Sequence, residues 1–527
     1  MKRKRNARKS QNKSEFAPYS QLLGVEVNGL TVAEQIESIG LLVDVSGDLR
    51  QIEGIKRAID LCTTLVAGNL SREQKGLLHY FCANAWNHQR RILQIPASDW
   101  EQPALEQEIL QLRLALSLSE GMSQIRRYQI LTNLGNVLSD TWRCVDAIQS
   151  YNAAIALDSH LGMAVANRAS TLRFYADLLW TTHDRLVLTQ TAFRDLRRAL
   201  RLPLEGDTKA NIKQAIRSLE ADVNSTVLRG THDLEKGDLG RSKAEQHYRR
   251  WCLKHGLFLN ATNDLGPFSA AASDPLLLPG VETPVEGGPK FIGFFNAMKQ
   301  EFVAGRWNLF FGLFAEKVHF ADKRVRLANT LDYPAYSLSS EQLKTAFRVA
   351  YSLFDKVSYF INDYLALGIP QNKVTFRTIW TDAKTKQLRP EFVVFQASPV
   401  KALFWLSRDL YEDGAGLTQA LEPEARDLAL IRNHLEHKYL KLHDDLWRGS
   451  PGESVRRIGL DDSLAFSIRR SDFERRTIRL YQLVRSALIY LACTVNYHEL
   501  HFRKTPKNAR TLPIILEEFD DRWKRSD

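Results

Sequence analysis

Cysteine, methionine and proline are sparse in this 527-residue chain, at 5, 4 and 17 residues. The cysteines (Cys62, Cys82, Cys144, Cys252, Cys493) stand singly, without the Cys-x-x-Cys spacing of a zinc site or redox pair, so they read as reduced core residues. A Gly-x4-Gly-Lys-Ser/Thr loop is missing, as are a Gly-x-Gly-x-x-Gly fingerprint and a His-Glu-x-x-His pair. Their absence excludes the usual nucleoside-triphosphate cradle, dinucleotide site and zinc-protease helix. His498-Glu499-Leu500-His501 imitates a metal motif only in outline, because its histidines are three apart and no third ligand follows. No metal and no cofactor is expected. Long apolar runs are absent too: Ser486 to Val495 covers about half of a bilayer crossing. The basic start runs into Asn, Gln, Ser and Glu instead of the apolar core of a secretory signal. The expectation is a cytoplasmic protein with no membrane association.

At 44% hydrophobic and 25% charged, the chain has enough apolar material for real cores. Its formal charge of +11 is concentrated at the start: Lys2, Arg3, Lys4, Arg5, Arg8, Lys9 and Lys13 occur with no acid among the first fourteen residues. The rest is nearly neutral, so bulk charge does not argue for nucleic-acid binding. Residues 1–20 read as a disordered basic tail.

The segment 21–258 carries apolar positions at helical spacing and predicts an all-helical domain. Leu134, Gly135, Leu138, Ala147, Tyr151 and Ala154 fall at tetratricopeptide-repeat spacings, although Ser159 stands where a closing Pro is usual. Ala192, Leu196, Ala199 and Pro203, then Ala244 and Tyr248, repeat parts of the pattern. A degenerate array of helical hairpins is expected, with a concave surface for an unknown protein or peptide. Residues 259–289 are rich in Pro and Gly and predict a linker. A second helical domain follows over 290–505, with a C-terminal extension at 506–527. Its expected helices run from Phe291 to Phe314, Ser340 to Leu367, Pro399 to Tyr411, Pro423 to Leu446 and Arg470 to Leu500. The β-branched and aromatic runs Val374 to Trp380 and Glu391 to Phe395 flank a polar turn and predict an inserted β-hairpin. The fold class is therefore all-α, a hairpin array followed by a helical bundle.

The stretch Glu422 to Leu442 concentrates candidate chemistry. Pro423 suits a first helical turn, and Glu422, Glu424 and Asp427 complement its positive end. Leu428, Ile431, Leu435 and Leu442 form the buried side of the helical wheel. Asn433 and His437 stack at i and i+4 on the opposite side, with Leu430 and Leu440, while Arg432 sits on the flank, about 140° from His437. The bland reading pairs Arg432 with Glu436 on a solvated face. Two Arg-x4-His spacings occur; Arg250 to His255 has Trp251 after its Arg and precedes the linker.

Arg432-Asn433-His434-Leu435-Glu436-His437 resembles the Arg-polar-x3-His signature of HEPN (higher eukaryote and prokaryote nucleotide-binding) ribonucleases. Phe295 to Phe302, Ala346 to Lys356, Trp405 to Tyr411 and Tyr248 to Asn260 are similar to a bacterial subgroup in which a tetratricopeptide array precedes the HEPN domain. This resemblance implies a metal-independent endoribonuclease acting by 2′-hydroxyl attack, with RNA as substrate and a homodimer through the HEPN domain. It also implies a setting in phage defence or a toxin-like stress response.

The residue types agree with that chemistry. His437 is the candidate acid/base, since imidazole titrates near neutral pH. Arg432 would grip phosphate and Asn433 would orient the imidazole or the phosphate. On one helix Arg432 and His437 converge awkwardly on one phosphate and supply a single acid/base, whereas two copies about a two-fold axis supply both groups twice. His434 and His443 are second-rank candidates for the other proton transfer. The aromatic stripes Phe291/Phe294/Phe295/Phe302 and Phe347/Tyr351/Phe354 read as core in preference to base-stacking platforms, and Asp355, Asn362 and Asp363 as a solvated face in preference to a border of the cleft. The rival functions are a non-catalytic RNA or nucleotide binder of the same fold, and a protein scaffold acting through its repeats.

Overall fold

The computed structural model describes residues 23–24, 29–96, 99–204, 206–281, 283–284, 288–330, 332–395, 398–411, 420–444, 464–502, 511–512 and 519–524. The basic tail 1–20 lies outside the described residues, as does most of the extension 506–527. Within them the chain is helical, as its apolar periodicity predicts.

The first half is a run of consecutive helices: α1 (Val32–Asp48), α2 (Ile52–Val66), α3 (Arg72–Ile92), α4 (Pro103–Ser117), α5 (Gln124–Asp140), α6 (Cys144–Leu157), α7 (Gly162–Leu178), α8 (Thr182–Ala199), α9 (Thr208–Asp222), α10 (Ser225–Arg229) and α11 (Lys243–Lys254). Thr31 and Ser71 start α1 and α3 with reciprocal capping bonds to Glu34 and Gln74. Each of α5 to α8 packs on the next. At the α5–α6 crossing a Cβ on Gly135 would sit 2.5 Å from the Tyr151 ring, so the glycine is what lets the helices approach. The Tyr151 hydroxyl donates to Asn136 Oδ1 at 2.9 Å.

The second half is a bundle of α12 (Lys290–Phe314), α13 (Leu338–Tyr364), α14 (Pro390–Val393), α15 (Val400–Leu410), α16 (Ala425–His437) and α17 (Arg470–His501). α17 is long and apolar enough to cross a membrane, but 83% of its apolar window is buried inside the protein, which makes it the core helix. Phe295, Phe302, Phe347 and Phe354 are buried around it.

Two expectations about strands need correcting. The hairpin predicted over 374–395 is reduced to one bridge, Thr381 to Leu388, and 390–393 is the short helix α14. The flanking aromatics coil inward instead: Trp380 packs on Phe392 and Phe404, and both of those rings meet Trp100 from the first half. The late helix also ends early. Residues 439–443, expected to continue it, form strand β2 (Tyr439–His443), parallel to β3 (Ala465–Arg469). Leu440 and Leu442 are therefore buried strand residues. Two further short strands, β1 (Thr283–Pro284) and β4 (Thr511–Leu512), pair antiparallel.

The Pro/Gly-rich stretch is a packed strap over 259–281 and not an open linker. Leu259, Ala261, Thr262, Asp264, Ala271 and Ala272 are buried. Arg485 of α17 holds Asp264 at 2.6 Å and the Asn260 carbonyl at 2.8 Å. Arg306 of α12 holds Asp274 at 2.7 and 2.9 Å and the Leu257 carbonyl at 2.7 Å. Buried guanidinium groups require such partners, and the strap supplies them.

A second ionic cluster ties the halves together. Arg113 of α4 grips Asp409 of α15 through two bonds of 2.6 and 2.9 Å, and Arg143 adds a third at 2.7 Å. Asp146 accepts from Arg143 at 3.1 Å and from the Tyr490 hydroxyl of α17 at 2.8 Å. Burial opposes the charge on Asp409, but Arg113 and Arg143 outweigh it and hold its carboxyl below the usual range. One hydrophobic cluster runs through both halves, from Tyr80 to Val495.

Candidate active site

α16 starts where its sequence predicts, within two residues. Pro423 precedes it and Glu424 is its N-cap residue. The acids there do more than complement the helix dipole. Glu424 pairs with Arg475 at 2.7 Å, Asp427 with Arg476 at 2.5 Å and Glu422 with Arg479 at 3.3 Å, all three arginines coming from α17. Arg113 of α4 also reaches Glu422 at 3.9 Å. The head of α16 is thus fixed to the core helix and to the first half. Ala425, Leu428, Ile431 and Leu435 face the core.

The other side presents the predicted polar group. Asn433 and His437 are exposed and Arg432 is half-buried. Arg432 Nη1 donates to Asn433 Oδ1 at 3.3 Å, and its guanidinium carbon lies 5.9 Å from the centre of the Tyr351 ring. The Arg432–Glu436 pair of the bland reading is not formed: Glu436 faces Arg348 of α13, with N···O at 3.7 Å, and Arg348 also donates to the Leu435 carbonyl. This leaves Arg432 beside the hydroxyl pair Tyr351–Tyr411 and near Asp355. His437 is the last residue of α16, and among the described residues its ring makes no hydrogen bond, ion pair or ring contact. The helix delivers this imidazole to solvent. Leu430 and Tyr439, on either side of the polar group in sequence, are 43% and 40% exposed, giving the face an apolar margin.

The second-rank histidines are placed differently. His434 turns back on its own helix, its Nδ1 2.8 Å from the Leu430 carbonyl, and its ring packs 5.3 Å from Phe466 of β3. His443 is buried in β2, with Nε2 3.2 Å from Ser467 Oγ. Burial lowers its affinity for a proton, against the pull of Asp332. Neither shares the exposed face of His437.

Asp355, read from sequence as solvated, is half-buried and accepts the Phe376 N–H at 3.0 Å. Burial raises its pKa, while that N–H and the Arg432 charge act in the opposite direction. Asp355 thus borders the site, while Tyr351, Tyr411 and Arg348 are the residues that sequence reasoning did not place there. Only the i, i+4 spacing of Tyr351 and Asp355 on one helix hinted that they share a face. Asn362 and Asp363 are engaged elsewhere, with Ile369 and Lys290. His498 Nδ1 lies 2.9 Å from the Tyr364 hydroxyl, which donates to Glu499 at 2.7 Å. Among the described residues no group of three or more His, Cys, Asp or Glu side chains is placed to hold a metal ion.

No curated protein matches the chain. The stretch 283–498, from β1 into α17 and with Arg432, Asn433 and His437 inside it, matches the family model described as LA2681-like HEPN, so the second half of this protein is similar to HEPN domains.

Proposed function

We propose that the protein is a metal-independent endoribonuclease whose active site forms where the α16 faces of two copies meet. One observation carries the reading: within a HEPN-like segment, a solvent-facing His437, unengaged among the described residues, ends the helix that also presents Asn433 and an Arg432 steadied by Tyr351. In the reaction the RNA 2′-oxygen attacks the adjacent phosphorus and the bond from phosphorus to the 5′-oxygen breaks. One histidine takes the 2′-hydroxyl proton and the histidine of the other copy gives a proton to the leaving 5′-oxygen. The two Arg432 side chains hold the phosphate and offset the charge that builds on it. The products are a 2′,3′-cyclic phosphate and a 5′-hydroxyl. Within one copy the two groups lie about 140° apart on the helix, which a two-fold pairing resolves. The apolar margin of Leu430 and Tyr439 suits such a contact. The helical first half, read as tetratricopeptide-like, serves as the sensing or docking half, with a setting in phage defence or a toxin-like stress response.

The test is incubation of the purified full chain with total RNA in EDTA. Cleavage by the wild type that His437→Ala abolishes, with 2′,3′-cyclic phosphate ends, supports the reading; RNA binding without cleavage replaces it with the non-catalytic binder.

A further inference from the structure

The connection from α12 to α13 is unusual for its surface. Val318, Phe320, Val325 and Leu327 are 57–76% exposed, and Tyr333 and Tyr336 follow at 61% and 45%. So much exposed apolar and ring surface on one connection is the signature of an interaction site. Interleaved with it are Lys317, Lys323, Arg324 and Arg326, all exposed and without an ion pair among the described residues. The acids nearby are largely occupied. Asp322 accepts the Leu338 N–H at 2.9 and 3.0 Å, capping the start of α13, and Asp332 pairs with Lys441 of β2 at 2.7 Å. These bonds pin the strip at both ends. The Ala335 N–H donates to the Leu442 carbonyl at 2.7 Å, so the far end of the strip lies against β2. That strand starts two residues after His437.

We propose that this strip is a platform for single-stranded RNA, with bases stacking on Phe320, Tyr333 and Tyr336 while Lys323, Arg324 and Arg326 hold phosphates. A cluster of cations without ion pairs among the described residues, set between exposed rings at 320 and at 333 and 336, fits a strand whose bases are exposed and whose backbone is anionic. The rings have little to grip in a duplex, whose bases are already stacked. A second copy of the strip is a poor occupant, because two sets of four unpaired cations would repel across a two-fold axis. The His319 ring, 4.1 Å from Phe320, stiffens the most exposed ring and leaves its other face open. The choice of RNA as the polyanion rests on the nuclease reading, and the path along β2 places the bound strand on the way to α16.

The probe is a fluorescent single-stranded 2′-O-methyl oligonucleotide, which lacks the nucleophilic hydroxyl, titrated into the full chain and read by anisotropy. Phe320→Ala should weaken binding about tenfold, and Phe320→Trp should restore it. Arg324→Gln with Arg326→Gln should lower the slope of log K on log salt by about 1.4. A duplex of the same sequence should compete poorly. Unchanged binding in these variants, equal competition by duplex, or a dimer that dissociates on Phe320→Ala overturns the proposal. If RNA is cut and His437→Ala stops it while Phe320→Ala binds normally, the platform falls and the active site stands. If the platform variants lose binding and no RNA is ever cut, the platform stands and the nuclease falls.

Discussion

At the scale of single residues, what distinguishes the candidate site is the contrast between side chains that are used up and those that are not. Arg348 and Glu436 occupy one another, and His434 and His443 are spent on the fold. His437 is engaged by no side chain among the described residues. Its replacement by Ala should therefore leave the melting temperature nearly unchanged while cleavage falls at least about 100-fold, measured on the same preparation. Arg432→Lys keeps the charge but loses the planar fork and the contact with Tyr351, so a cleavage loss of about tenfold is expected in the same assay. His443→Ala should do the opposite, lowering stability and leaving the activity of the folded fraction unchanged. The pH dependence has a definite sign: a buried imidazole with a lowered folded pKa contributes stability that is full above its unfolded value, near 6.5, and lost as pH falls below it. The pH-dependent loss should shrink in His443→Ala. Arg432, Asn433 and His437 were legible in sequence because helix periodicity alone says which positions oppose Leu428, Ile431 and Leu435. The company Arg432 keeps was not, since Tyr351 and Tyr411 lie 81 and 21 residues away and nothing local links them to it.

At the scale of elements, the long helices could be read because their apolar repeats run for several turns: the predicted Ser340 to Leu367 is Leu338–Tyr364, and Arg470 to Leu500 is Arg470–His501. The failures occurred where distant partners decide. Leu442 stands seven residues after Leu435 and so mimics the next turn of α16, but β2 forms because residues 465–469 pair with it. The aromatic run 374–380 imitates a strand, yet its rings serve a cluster completed by Trp100 from the first half. The same kind of long-range partnership fixes α15. Asp409→Ala would leave Arg113 and Arg143 buried without their shared counter-charge, and a loss of about 3–5 kcal/mol in urea unfolding is expected. Because the folded carboxyl is depressed, this contribution is present above the unfolded value of about 3.9 and is lost only as pH falls through the lower folded value.

At the scale of the whole molecule, the strap and the buried ion clusters join the two halves into one packed body, which the Pro/Gly composition of 259–289 concealed. Composition reports that a segment is irregular; only Arg306 and Arg485, far along the chain, decide that it is also buried. Arg113 touches both Asp409 and Glu422, so the first half bears directly on the head of α16. A displacement of α4 would have a short mechanical path to α16. The central claim is that two copies make one site. It is tested most directly by following RNA cleavage in EDTA as the protein is diluted, alongside its mass in sedimentation equilibrium. The account predicts a species of about twice 60.2 kDa and a specific activity that disappears with it on dilution. A chain that stays monomeric and cuts RNA at an undiminished specific rate would contradict it.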